Sequence, residues 1–414
     1  MHVNRWGLVM GLLGVCLCEG RLGIVWAADS EVSITLEPFR QPFVTGDEDK
    51  FRAHHWMKET YVGGVKDASA QLTFSNGVAI SAQGHALIDQ HDVGADVSVK
   101  KDGLGFINVD YGEFRKYYDK TGGTYYRFGT LSASDTFREL ALDIGKFGME
   151  TGLTLEGIPE LAFQYEREFK GGTKSRLSWV DVTEGATTRK IAPSWQDIDE
   201  AVDTFALKAS QELAGFNVKG KQQWEFQRTE TFREEQSLST NTGAATASQR
   251  KIRRQDQIPQ ADLMTTLLSA ERNFLENKVF VSSAYRYAHM RNREFESLNE
   301  FDENGVRTNF TAPKQIINAR ADNKYVTHTW VGNGIVSPWP WLSVGSKLKA
   351  EVIRRESNSS YPADANPNSA TSSTPNGVID SLLQRLNKNK AERWGEAVSL
   401  RLTGIPRTAP YTDL

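Results

Sequence analysis

Long runs in which apolar and polar residues alternate with period two govern what this chain can fold into. In "FNVKGKQQWEFQRTETF" one parity carries Phe216, Val218, Gly220, Gln222, Trp224 and Phe226, and the other Asn217, Lys219, Lys221, Gln223 and Glu225. "DIGKFGMETGLTL" sets Phe147, Met149, Leu153 and Leu155 against Lys146, Glu150 and Thr154. "LSVGSKLKAEVIRRE" sets Leu342, Val344, Leu348, Ala350 and Val352 against Lys347, Lys349, Glu351 and Arg355. Near the end, Val398, Leu400 and Leu402 alternate with Ser399 and Arg401. Successive side chains of a strand point to opposite faces, so these runs are strands with one apolar and one charged face. At about 9 to 16 residues they exceed the usual soluble strand of about 5 to 6 and reach the about 9 to 11 of a tilted membrane crossing.

The connections alternate as well. Short turns fall at Asp102-Gly103, at Glu156 to Pro159, at Leu213 to Gly215, at Asn273 to Asn277 and at Ser337 to Trp341. Between them lie polar segments over 112–142, 170–200, 234–262, 296–322 and 357–392, read as long loops. Asp102-Gly103 has the residues of a type I′ hairpin. Short turn and long loop in alternation is the pattern of an outer-membrane barrel, with turns on the periplasmic side and loops outside. Backbone in hydrocarbon must pair every donor and acceptor, which a closed sheet does. The expected fold is therefore all-β: an antiparallel up-and-down transmembrane β-barrel in the outer membrane of a Gram-negative bacterium. Trp330, Trp339, Trp341 and Trp394 lie near strand ends and suit an interfacial aromatic girdle, so outer-membrane lipid is an expected partner.

The first residues, "MHVNRWGLVMGLLGVCLCEGRLGIVWAADS", carry Arg5, an apolar stretch from Trp6 to Leu17, and Val25 and Ala27 at signal-peptidase spacing. Residues 1–27 read as an export signal; an uncleaved anchor helix is the alternative. Both cysteines, Cys16 and Cys18, lie within it, so a mature chain has no thiol for a disulfide, a metal or covalent haem. Residues 28–91 lack clean alternation and read as a periplasmic or lumen segment with a first strand near 70–82. Residues 92–414 then form the barrel strands, about eleven of them. The net charge of −3 supplies no electrostatic case for nucleic acid.

By parity, Lys146, Glu150, Lys208, Lys219, Lys221, Glu225, Lys347, Lys349, Glu351 and Arg401 face the lumen. Both signs are present, so no ion selectivity follows. No G-x-S-x-G, H-E-x-x-H or P-loop occurs. The chain is expected not to be an enzyme, with no catalytic, cofactor-binding or metal residue assigned. His54-His55 would chelate one metal poorly on a strand. His85 and His91 flank Asp89 and Asp92, a metal or proton site or simply a polar turn. His289 and His328 lie on strands without a matching motif. "KIRRQ", Lys251 to Gln255, is a basic patch placed in a long loop, where it could touch lipopolysaccharide phosphates or a partner.

"DEDKFRAHHWMKETYVGGV", "DVGADVSVKKDGLGFINVDYGEFRKYYDKTGG" and "GLTLEGIPELAFQYEREFKGG" resemble the large outer-membrane barrels of the MtrB/PioB type, the decahaem-cytochrome-associated porins. The resemblance covers roughly residues 45–414 as a pattern of long strands. It implies a wide barrel sheathing a multihaem c-type cytochrome for electron transfer across the outer membrane, with the haem belonging to the partner; an outer-membrane porin-like channel or scaffold is the reading of the strands themselves. Some members carry a Cys-x-x-Cys near the mature N-terminus, which this chain lacks. A soluble secreted β-rich binding protein and an outer-membrane enzyme are the competing readings. Gly404-Ile405-Pro406 repeats the turn at Gly157-Ile158-Pro159 without a return strand. The expectation is an N-terminal part of a larger barrel, with early closure against residues 70–82 as the rival.

Overall fold

The computed structural model describes residues 27–88, 90–119, 138–178, 182–184, 186–189, 192–236, 238–239, 251–302, 304–306, 316–363, 367–369, 372–375, 381–403 and 411–413. The export signal and the second Gly-Ile-Pro turn lie outside them. Sixteen strands form one sheet. They are β1 (Ala27–Arg40), β2 (Val62–Phe74), β3 (Val78–Ile88), β4 (Asp92–Lys101), β5 (Gly105–Tyr117), β6 (Ala141–Leu153), β7 (Glu160–Ser178) and β8 (Ala192–Leu213). There follow β9 (Phe216–Gln236), β10 (Ile252–Gln257), β11 (Gln260–Phe274), β12 (Val279–Phe301), β13 (Ile316–Trp339), β14 (Leu342–Ala363), β15 (Ser381–Leu402) and β16 (Tyr411–Asp413). Each pairs antiparallel with its sequence neighbours in an up-and-down meander, with β10 and β11 as two halves of one crossing between β9 and β12. The break falls at Ile258-Pro259, because proline has no N–H for the ladder. Ile258 N donates to Phe295 O at 2.9 Å and Thr229 N to Pro259 O at 3.0 Å, which carries the pairing past it.

The expected all-β, antiparallel, barrel-type architecture is what the chain adopts. From Asp92 to Leu402 the crossings number eleven, β10 and β11 counting as one. Among the described residues no ladder joins β1 to β15, and β16 pairs β15 only over Ser399–Arg401.

Several details depart from the sequence reading. Residues 28–91 carry strands β1, β2 and β3 of the same sheet and one helix, α1 (Glu48–His55). Asp47 caps α1, its side chain accepting from Lys50 N at 3.1 Å, with Glu48 and Asp49 in the first turn. The segments read as long loops are partly strand: β7 runs on to Ser178, β12 to Phe301 and β14 to Ala363. "KIRRQ" is not a loop, since all but Lys251 lies in β10. The Asp102-Gly103 turn has a positive φ, 69°, at Gly103 only, whereas type I′ needs it at both central residues. Leu104 N closes that turn on Lys101 O at 3.1 Å.

The buried side chains gather at the end of the sheet opposite the short turns. Val62, Tyr117, Leu142, Trp195 and Ile198 are buried there. α1 sits beside them: Trp56 stacks on Phe114 with centroids 5.4 Å apart, and the Arg52 guanidinium lies 4.9 Å over the Tyr117 ring. Arg52 Nη2 donates to Glu139 Oε1 at 3.3 Å, and Lys58 pairs with the same carboxylate. Burial alone would raise the Glu139 pKa, but Lys58, Arg115 and Arg52 outweigh it and hold it below the ordinary value. Arg138 lies 3.8 Å over the Trp195 ring.

Candidate functional site

The register assigns every strand residue to one of two faces, because directly opposite residues share a face. One face is an apolar band beside the short turns. Leu153, Leu161, Ala209 and Gly220 lie in one cross-strand row, and Phe163, Leu207 and Gln222 in the next. At the first edge Val32, Ile34 and Leu36 carry the band, and at the last Val398, Leu400 and Leu402. These side chains are open: Leu207 is 51% exposed and Ile34 64%. A contiguous apolar surface of this extent marks an interaction with another apolar phase. The band is about nine residues tall, which at about 3.4 Å per residue and a usual tilt gives roughly 25 Å, the height of a barrel's lipid-facing band.

An aromatic row ends the band on the loop side. Phe147, Tyr165, Phe205 and Phe226 succeed one another across β6 to β9 with ring centroids 6.0, 4.9 and 6.3 Å apart. Just beyond, charge begins. Tyr165 Oη donates to Asp203 Oδ1 at 2.8 Å, and Arg167 Nη1 donates to the same oxygen at 3.3 Å. Rings in the apolar layer with hydroxyls in the charged one are the arrangement of an interface. Trp330 and Trp394 are both paired with Ala350 and so lie at one level. Trp339 and Trp341 stack at 5.3 Å by the turn at the other end. The four expected tryptophans thus occupy two levels on either side of the band. Brominated lipids check this: the fluorescence lost in Trp394→Phe and in Trp341→Phe is to be quenched most by bromine near the headgroup, and a maximum with bromine at the chain ends would refute the levels.

The other face is charged and cross-linked. All ten residues assigned to the lumen by parity share it. Lys208 Nζ donates to Glu150 Oε1 at 2.7 Å, reaching across β7, and Lys146 pairs with Glu166 at 2.8 Å. Lys170 pairs with Glu200 at 2.8 Å and Lys219 with Glu271 at 3.4 Å. A groove of ≈ 580 Å³ runs over this face between β3 and β8, with His85, Asp92, Lys146, Glu168, Lys170 and Glu200 on its walls. Both signs line it, with Lys170 paired to Glu200 and His85 to Asp92 across it, so it offers mixed polarity to a solute rather than one sign.

The histidines are dispersed. His54 and His55 stand together on α1, with rings 4.7 Å apart, and the His55 ring lies tilted against Phe51 at 4.6 Å. His85 Nε2 contacts Asp92 Oδ1 at 3.0 Å on the polar face. Asp89 lies outside the described residues, and among those no group of three or more metal-ligating side chains occurs. His328 Nδ1 contacts Tyr285 Oη at 2.7 Å beside Tyr287, on the apolar side at the aromatic row, with His289 on the same face. In the basic patch, Lys251 and Arg253 bond Glu300, and Arg254 bonds Glu234 at 2.7 Å, so these cations are engaged within the sheet. α1 and its contact with β5 are what sequence reasoning missed; the signal was Asp47-Glu48-Asp49, a capping residue followed by first-turn acids.

No protein-family model matches the chain, and no curated protein matches it. The MtrB/PioB resemblance therefore has no family match behind it. Among solved structures the chain is similar to OmpTdeltaL8, a loop L8 deletion mutant of OmpT, an outer membrane protein of Vibrio cholerae. That likeness has 12% identity, 78% of this chain and 93% of that chain covered, and a TM-score of 0.22. It is also similar to the outer-membrane expressed OmpT of Vibrio cholerae, at 12% identity, with 90% and 100% covered and a TM-score of 0.19. Likenesses this distant carry no argument about activity. The expectation that the chain is not an enzyme is corrected: it rested on the lack of a familiar motif, which does not exclude catalysis, and the exclusion is withdrawn.

Proposed function

We propose that this chain is the wall of an outer-membrane porin-like β-barrel, a channel or scaffold whose charged face lines the interior. One observation carries the reading: an open, largely apolar band on one face, broken by Glu396 opposite Leu348, and a charged face with cross-strand ion pairs on the other, in the same strands. A soluble β-sheet protein buries its apolar face; here that face is open over about the height of a bilayer. Sheets of this many strands enclose an aqueous interior when they close. Outer-membrane fractionation with heat-modifiable gel mobility tests it, followed by planar-bilayer conductance of the purified chain. A folded, detergent-dependent form that conducts is the expected result. Recovery of folded chain from the soluble periplasm without detergent would refute it.

The sheathing of a multihaem cytochrome is the second form of the same reading, supported by the MtrB/PioB resemblance and by a charged wall suited to a protein surface. It differs in what occupies the lumen. Haem staining of the complex purified from its own host separates the two, since a conducting barrel that never carries haem fits the channel alone.

A further inference from the structure

Over β6 to β9 the polar face is built of long charged side chains bonded across strands, as in Lys146–Glu166 and Lys208–Glu150. Over β2 to β5 it is different. Ser69, Gln83, Asp96 and Asp110 stand directly opposite one another in one row across these four strands. Two residues nearer the short turns, Gln71, Ser81, Ser98 and Asn108 form a second row across the same strands. Directly opposite residues share a face, and the first row continues to Gly148 and Glu166 on the polar side. All eight side chains line one hollow of ≈ 390 Å³. Its remaining residues, Ala70, Ala82, Val97 and Val109, alternate with these and belong to the apolar face.

We infer that this hollow binds small neutral polyhydroxylated solutes, of the size of a simple sugar. No lysine, arginine or aromatic side chain lines it, which leaves out anions and apolar solutes. It offers amides and hydroxyls, which both donate and accept, and carboxylates, which accept. A sugar hydroxyl also does both, so several hydroxyls on one ring match the array. Few of these groups are used up within the protein. Gln83 Nε2 donates to Asp96 Oδ2 at 3.4 Å, and Ser98 Oγ donates to Asn108 Oδ1 at 2.7 Å. The Asp110 carboxylate and the Gln71 amide have no partner among the described residues. Gly148 keeps the hollow open beside Asp110, since a Cβ there would collide with the carboxylate.

Asp96 and Asp110 sharpen the reading. Like charges directly opposite destabilise a ladder, and no cation among the described residues pairs with either. Lys146, on the adjacent strand, is bonded to Glu166 at 2.8 Å, and Lys100, two residues beyond Ser98, to Asp102 at 3.0 Å. Hydroxyl donors spread over both carboxylates offset that repulsion. A bound metal ion would offset it too, but a cage of acids is missing: among the described residues no group of three or more metal-ligating side chains occurs. A hollow open to water on one side holds such a solute at roughly millimolar affinity, weak enough for release during transit.

The inference rests on the reading that this face lines the interior, and its test is independent of conductance. The full chain is folded in a detergent without a sugar headgroup, checked by heat-modifiable mobility, and titrated with D-glucose by saturation-transfer difference NMR. The wild type is expected to bind saturably, and the Asp96→Ala/Asp110→Ala pair at least about tenfold more weakly. Asp96→Asn/Asp110→Asn removes both charges but keeps an acceptor oxygen at each position, so it must retain more affinity than the Ala pair. Should the Ala pair fail to fold, Gln83→Ala/Asn108→Ala leaves both acids in place and is expected to bind at least about threefold more weakly. Gln223→Ala, on β9 of the same face and outside the hollow, is expected to bind as the wild type does. Absence of glucose binding by folded wild type overturns the inference, and so does binding of Mg²⁺ in its place. Undiminished binding in the Ala pair, or an equal loss in Gln223→Ala, overturns it as well. A conducting chain that binds no glucose leaves the channel standing without this site, and glucose binding without bilayer conductance counts against the channel alone.

Discussion

Leu207→Arg is expected to lower the folding stability of the membrane-embedded chain by about 1–3 kcal/mol, between the cost of a cation at the middle of a barrel's lipid face and that near its rim. Leu207 pairs with Phe163 on one side and Gln222 on the other, between the short turn at Ala214-Gly215 and the aromatic row at Phe205. At 51% exposure about half of it is left uncovered by protein, so the loss arises from contact with hydrocarbon and not from a filled core. The adjacent residue supplies the control. Lys208 faces the other way and bonds Glu150 at 2.7 Å, a part-exposed pair whose removal by Lys208→Gln costs about 0.2–1 kcal/mol. Urea unfolding of the chain in liposomes, followed by tryptophan fluorescence, measures both. If Lys208→Gln proved the costlier change and Leu207→Arg silent, the two faces would be assigned the wrong way round.

The same two residues show why part of this fold was legible in the sequence. Where a strand crosses the apolar layer, one neighbour sees lipid and the next sees the polar interior, so the period of two appears letter by letter, as in Leu207-Lys208 or Leu348-Lys349. Beyond the aromatic row both faces are polar. The pairing of Arg320–Asn323 with Ser357–Ser360 continues the ladder with no apolar partner to mark it, and such stretches read as loop. Propensity could not rescue them, since Ser and Asn favour turns as readily as wet strand ends. The first strand is a different matter. Val32, Ile34 and Leu36 alternate cleanly with Glu31, Ser33, Thr35 and Glu37, a signal present in the letters and obscured by the turn residues that follow it. The lumen charges followed from parity, but their partners did not. Lys208 reaches Glu150 across an intervening strand, and only the register brings residues so far apart in sequence to one place.

The second large effect belongs to Glu300, at the loop end of β12 and well beyond the aromatic row. It is fully buried, accepts from Lys251 Nζ at 2.7 Å and from Arg253 Nε at 3.1 Å, and ties β10 to β12 where the crossing restarts after the long connection. Burial alone would raise its pKa; the bonds from Lys251 and Arg253 outweigh that and hold it below the ordinary carboxylate value of 4.5. A carboxyl whose folded pKa is depressed adds stability that is fully present above its unfolded value and is lost as the pH falls through its folded value. Glu300→Gln is therefore expected to destabilise the chain by about 2 kcal/mol at neutral pH, since two cations lose a charged acceptor but remain open enough to rehydrate in part. The difference between wild type and variant must shrink as the pH falls below about 4.5 and the wild-type carboxyl takes up its proton. Urea midpoints of both proteins across that range, with hydrogen exchange of β10 and β12 to locate the effect, read it directly. A gap between the two that stayed constant down to acid pH would mean that shape and packing at this position, and not the charge on Glu300, hold the end of the sheet together.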